Sequence, residues 1–197
     1  MSNNSDLNVD EILERCITDG TRKSFFLFAG AGSGKTHSLV TLLDKIRDKW
    51  ETQLKKEGRH VAVITYTNAA TKEILSRLDY CTLFHVSTIH SFVWETIKHY
   101  QTDIKKYYLL FKTEEIQTIE SKLNNAKNKT TKTFKSNQQK HQSLIEKVDK
   151  IKRIQSFKYN PNGNNDEYNS LSHADVIKIG SQMILESKLL QQIISQQ

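Results

Sequence analysis

The tightest constraint on this chain is the glycine-rich turn at 29–36, Ala29-Gly30-Ala31-Gly32-Ser33-Gly34-Lys35-Thr36. A short continuous apolar run at 24–29 precedes it. After it, Leu39, Leu43, Ile46, Trp50 and Leu54 recur at helical spacing over 35–56. An apolar run of that length reads as a strand buried on both faces, so the turn is predicted to join strand to helix. Glycines let the backbone curl closely enough to aim several N–H groups at one anion. The helix start adds its own N–H groups and the positive end of its dipole. In this context the segment reads as a phosphate-binding P-loop. Lys35 is expected to reach the β- and γ-phosphates of a nucleotide and the Thr36 hydroxyl to ligate Mg2+. The first position, Ala29, stands where the strict pattern has glycine.

The rest of the first hundred residues alternates helix and strand. A helix is expected over 9–19, capped by Asn8 and stopped by Gly20. Strands are expected at 61–65 (VAVIT) and near 83–88, with helices over 69–78 and from His90 to about Tyr100. Strand–helix–strand order is the pattern of a parallel sheet in an α/β fold. Beyond residue 101 the pattern changes. A helix is expected from Thr113 to about Asn125, then a mobile polar stretch over 124–140 with almost no apolar residues. A further helix is expected over 142–155, with Ile145, Val148, Lys152 and Gln155 on one face and Leu144, Ile151 and Ile154 beside them. Residues 160–169 (NPNGNNDEYN) read as a loop. Ser172 and Asp175 form a capping-box pattern ahead of a last helix carrying Val176, Gly180, Met183 and Ile184.

Charge is segregated. The chain carries a net +7, but residues 1–97 hold twelve Lys and Arg against twelve Asp and Glu. Residues 98–158 hold fifteen against six, a net +9, and residues 159–197 hold two against four. A basic block confined to one segment points to an anionic partner. Lys127, Lys129, Lys132 and Lys135, with Lys147, Lys150, Lys152 and Arg153 further on, are placed to neutralise phosphates. A solvated helical hairpin is the alternative reading. No apolar run approaches the length of a membrane span, and the polar, acidic N-terminus is unlike a secretory signal. The two cysteines, Cys16 and Cys81, are far apart and suit a reducing, cytoplasmic setting. The histidines other than His90 show no metal-ligand spacing and read as surface or capping residues, while Trp50 and Trp94 read as core.

Two segments narrow the class of nucleotide protein. Thr65-Tyr66-Thr67-Asn68 follows the strand at 61–65, and Thr88-Ile89-His90-Ser91 follows the strand near 83–88. Loops at the carboxyl ends of parallel strands share a rim with the P-loop. Hydroxyls and a histidine suit phosphodiester oxygens, and a tyrosine face suits a stacked base. N-caps and core aromatics are the competing reading. Taken together, AGAGSGKT, VITYTNAATKEILSRL and VSTIHSF resemble, in order and spacing, the first motifs of UvrD/Rep-type (superfamily 1) DNA helicases. The helix over 171–190 resembles the one before the Walker B strand of that family. The resemblance implies ATP and Mg2+ as cofactors and single-stranded DNA as partner. It implies Tyr66 against a base, with Thr65, Thr67, Thr88 and His90 along the strand's path. It also implies a DNA-touching helical subdomain at 101–170, which would extend the interface to duplex DNA.

The departures are specific. No glutamine precedes Gln53 to read adenine, and no run of four apolar residues followed by Asp-Glu comes after the P-loop. The expected fold is therefore an incomplete RecA-like P-loop NTPase sheet over 1–100. A basic, mostly helical insertion follows over 101–170, then a returning helix over 171–197, ahead of a missing Walker B strand. The activity expected by family is ATP-dependent DNA unwinding, with the second RecA-like domain and its arginine finger supplied by the remainder of the helicase or a partner protein. This chain is expected to bind nucleotide without hydrolysing it. The alternatives are a non-catalytic, nucleotide-gated binding module and another P-loop ATPase or kinase.

Overall fold

The computed structural model describes residues 11–17, 24–28, 30, 32, 34–161, 163, 165 and 167–195. The chain divides into two compact units. One runs up to Thr88 and the other spans Ile89–Ser195.

In the first unit, residues 11–17 form a helix, α1; the expected cap at Asn8 and stop at Gly20 lie outside the described residues. Helix α2 spans Lys35–Lys56, as its periodicity predicts. It ends in a Schellman turn, with Gly58 N–H donating to Lys55 O at 3.1 Å and Arg59 N–H to Leu54 O at 2.8 Å. Strand β1 (Val61–Thr65), helix α3 (Asn68–Arg77) and strand β2 (Phe84–Thr88) follow. The two strands pair in parallel, Val61 opposite Phe84 and Thr65 opposite Thr88. Val40, Leu43, Val63, Ile74, Leu78, Leu83, Phe84 and Val86 make the core of this unit, with Leu39, Ile46 and Leu54 packed against it. Trp50 departs from its expected core place. It is half-buried, lining a cavity with Leu42, Ile46 and the α1 residues Glu14 and Ile17, under the Lys49 ammonium.

The apolar run at 24–28 is not a strand. Phe26 and Phe28 are 79% and 87% exposed, their rings in tilted contact with centroids 4.4 Å apart. A doubly buried strand needs a ladder partner and cover on both faces. β1 and β2 pair with each other, and neither supplies a ladder to 24–28.

The second unit is helical: α4 (Ile89–Ile97), α5 (Gln101–Asn124), α6 (Lys132–Lys152), α7 (His173–Glu186) and α8 (Lys188–Ser195). Its core gathers Val93, Ile97, Ile104, Tyr108, Ile151, Leu171, Val176, Ile179 and Leu190. Two expectations fail here. Helix α5 starts at Gln101, twelve residues ahead of the predicted start at Thr113, because Ile104, Tyr107 and Tyr108 face the core. The stretch expected to be mobile is helical from Lys132: Thr131 caps α6 by accepting from Phe134 N–H at 3.1 Å, and Lys140 pairs with Glu115 of α5 at 2.8 Å. The packed face of α6 is Leu144 and Ile151, continued by Ile154; Lys152 and Gln155 are exposed. The described residues of the expected loop at 160–169 lie outside helix and strand, residues 162, 164 and 166 being outside the described residues. The capping box appears as expected, with Ser172 Oγ accepting from Asp175 N–H and the Asp175 carboxylate from Ser172 N–H. Gly180 permits the approach of α7 to α4, since a Cβ there would lie 2.1 Å from Val93 Cγ1.

Candidate functional site

Of the turn at 29–36, Gly30, Gly32, Gly34, Lys35 and Thr36 are described; Ala29, Ala31 and Ser33 lie outside the described residues. Gly32 and Gly34 sit at φ +76° and +82°, and a Cβ on either would meet nothing within 4 Å. Glycine is required there by backbone conformation, not by crowding. Gly34 is the N-cap of α2, and Ser38 N–H makes the first helical bond to its carbonyl at 3.0 Å. The N–H groups of the first turn ahead of Ser38 point outward along the axis. No acid occupies that turn, while Lys55 and Lys56 sit at the opposite end. The helix dipole is thus left positive where a phosphate would bind and is complemented where it is negative. Lys35 is exposed, its ammonium donating to the Gly30 carbonyl, and Thr36 beside it is half-buried.

These features fit a triphosphate: a left-handed glycine backbone, an acid-free helix start and a cation on the rim. For Mg2+ the turn offers the Thr36 hydroxyl. Among the described residues no group of three or more His, Cys, Asp or Glu could hold a metal ion.

The turn between β1 and α3 is clamped by hydroxyls. Thr65 Oγ1 lies 2.6 Å from Thr71 Oγ1 and 3.1 Å from the Thr67 carbonyl, to which Thr71 Oγ1 also donates at 3.2 Å. Thr67 Oγ1 accepts from Ala70 N–H at 3.2 Å and caps α3. Thr65 and Thr67 therefore hold the turn, as the N-cap reading has it. Between them Tyr66 projects with 86% of its surface exposed, unlike a core aromatic. Thr71, which no motif singled out, completes the clamp; its place one helical turn after Thr67 was the available signal. Parallel pairing puts Thr65 opposite Thr88, so both segments leave the sheet at the same end. Thr88 itself is buried.

His90 belongs to the second unit, in the first turn of α4. It is half-buried, and its ring meets that of His173 at 5.0 Å, edge to face. Burial first, and the charge on His173 second, hold its pKa below the ordinary histidine value. His173, read from sequence as a surface or capping residue, bonds through Nδ1 to Tyr159 Oη at 2.6 Å. No periodicity links positions 90, 159 and 173, so this grouping exists only in three dimensions.

The basic segment is a helical hairpin. Lys105 donates to the carbonyls of Lys152 and Ile154, at 2.7 and 3.0 Å, and so caps the end of α6. Lys112 pairs with Asp175 at 3.1 Å, and Lys152 with Asp149 at 2.9 Å. At the tip, Lys127, Lys129, Lys132 and Lys135 are exposed, with no Asp or Glu between residues 121 and 145. Among the described residues no helix is long and apolar enough to cross a membrane.

The chain matches the family described as the UvrD/REP helicase N-terminal domain over residues 10–192. It is 40% identical over 95 residues to Gabija protein GajB of Bacillus cereus (strain HuB5-5), covering 48% of this chain and 14% of that protein. It is 44% identical over 69 residues to Gabija protein GajB of Bacillus cereus (strain VD045), covering 34% and 12%. The matched regions thus span about one seventh of these relatives or less. No solved structure matches.

Proposed function

The chain belongs to the UvrD/REP helicase N-terminal domain family, a family of ATP-dependent helicases, and we propose that it is the ATP-binding part of a DNA translocase acting on single strands. In this reading residues 1–100 form the nucleotide core, 101–170 a DNA-facing insertion and 171–197 the return to the core. The backbone of Ala29, Gly30, Ala31, Gly32, Ser33 and Gly34 cradles the phosphates, Lys35 neutralises them, and Thr36 holds Mg2+ against them. Bound there, the nucleotide supplies the free energy for movement along DNA. The observation that carries this reading is the delivery of Lys35 and Thr36 to an acid-free helix start by left-handed Gly32 and Gly34. Tyr66 stacks on a base, and Thr65, Thr67, Thr88 and His90 line the strand's path; the clamped turn and the exposed ring of Tyr66 support this. The lysines at the tip of the α5–α6 hairpin meet duplex phosphates. The setting is the cytoplasm, and a second RecA-like domain comes from elsewhere in the helicase or from a partner.

A fluorescent ATP analogue tests the core of this reading. It should bind the chain in the presence of Mg2+ and lose affinity in Lys35→Ala; equal binding by the two would overturn it. Because no apolar run ending in Asp-Glu follows the P-loop, the chain binds ATP without turning it over. ATPase activity that Lys35→Ala abolishes would contradict this. The second reading is a nucleotide-gated binding module without catalysis, and DNA affinity that shifts when ATP is added, with no turnover, would support it. The similarity to the two proteins named Gabija protein GajB supports a role in a Gabija-type system.

A further inference from the structure

Four rings from three separate segments meet along one side of α4. His90 and Trp94 stand one turn apart on α4, Tyr159 lies in the segment after α6, and His173 opens α7. The Tyr159 hydroxyl bonds to His173 Nδ1, and the two rings meet edge to face at 5.4 Å. Tyr159 is itself buried against Trp94, at 5.9 Å, so its hydroxyl is a fixed point. A hydrogen bond to Nδ1 fixes the rotation of the imidazole ring. The His173 ring is thus held by Tyr159 and meets the His90 ring edge to face.

We propose that His173, held by Tyr159, is a positioning residue for His90: it sets the orientation in which the His90 imidazole meets the nucleic acid strand. This rests on the reading of His90 as a DNA contact. An exposed histidine in a first helical turn would sample several rotamers, and ordering it on binding would weaken the contact. Packed against a fixed ring, His90 loses that freedom before DNA arrives. The charged and titratable groups nearby divide clearly. α7 presents His173, with Asp175 engaged by Ser172 and Lys112; the connecting segment presents Tyr159; α4 carries Glu95, paired with Lys98. Of these groups, His173 is the one that acts on the titration of His90.

The test uses the 197-residue chain, a fluorescein-labelled oligo-dT and the NMR titration of the His90 ring protons. His173→Ala should lower affinity for the oligonucleotide about fivefold, the worth of one ordered hydrogen bond, and move the His90 titration to higher pH. Tyr159→Phe, which removes one oxygen, should change both in the same direction by less. His173→Gln, which keeps a partner for the Tyr159 hydroxyl, should recover part of the affinity. A merely structural His173 would change the melting temperature and leave the His90 titration where it is. Unchanged affinity and unchanged titration in folded His173→Ala overturn the proposal; should that variant not fold, the same pair of results in Tyr159→Phe does so. His90→Ala separates the two levels. If it binds the oligonucleotide as well as the parent, the DNA role of His90 falls, and the His90 titration in His173→Ala and Tyr159→Phe decides the positioning on its own.

Discussion

Tyr66 is the residue whose surroundings say most about its use. A tyrosine is costly to leave in water, yet the hydroxyls of Thr65, Thr67 and Thr71 are spent on holding the turn that exposes it. Because the ring touches little of the fold, Tyr66→Ala should leave the melting temperature unchanged. In a fluorescence-anisotropy titration with oligo-dT it should cost about 1–3 kcal/mol of affinity. Thr71 acts on the same ring through the clamp. Thr71→Val, which keeps the shape and removes the hydroxyl, should weaken oligo-dT binding by less than Tyr66→Ala does, and should not touch nucleotide binding.

At the scale of elements, stability rests on caps and close approaches. Thr67→Ala removes the N-cap of α3 and should cost about 1 kcal/mol in chemical denaturation. Gly180→Ala drives a methyl into Val93 where α7 crosses α4, at a cost of about 1–3 kcal/mol. Adding Val93→Ala should recover part of that loss, because the clash is with the Val93 side chain. The capping box of α7 carries a pH dependence. Burial raises the pKa of Asp175, but hydrogen bonds from Ser172 and the ammonium of Lys112 outweigh it, and the net pKa lies below the usual aspartate value. A carboxyl depressed by folding stabilises the folded state above its unfolded pKa. That contribution is lost as pH falls through the folded one. Thermal melts should therefore lose stability below about pH 4, and Asp175→Asn should flatten that part of the curve.

For the whole molecule, the +9 segment supplies core as well as charge. Ile104, Tyr108 and Ile151 are fully buried, so α5 and α6 cannot be removed without unfolding the second unit. The lysines at the hairpin tip can be changed without touching that core. Replacing Lys127, Lys129, Lys132 and Lys135 by glutamine should leave the melt unchanged. It should also reduce the slope of log affinity against log salt for duplex DNA by about 0.9 for each phosphate no longer neutralised. An unchanged slope would assign the tip to solvent.

Much of this was legible in the residue order. The glycine turn, α2 to its last residue, both strands of the sheet and the capping box of α7 follow from local signals: periodicity, caps and β-branched runs. Such signals act within a turn or two of chain, and they survive whatever packs around them. The failures share one cause. Whether 24–28 becomes a strand depends on a ladder partner, whether 132–140 becomes helix depends on the α5 face it meets, and the clustering of His90, Tyr159 and His173 depends on where α7 returns. Each is a contact between segments far apart in sequence. Its free energy comes from burial and pairing that no single segment contains.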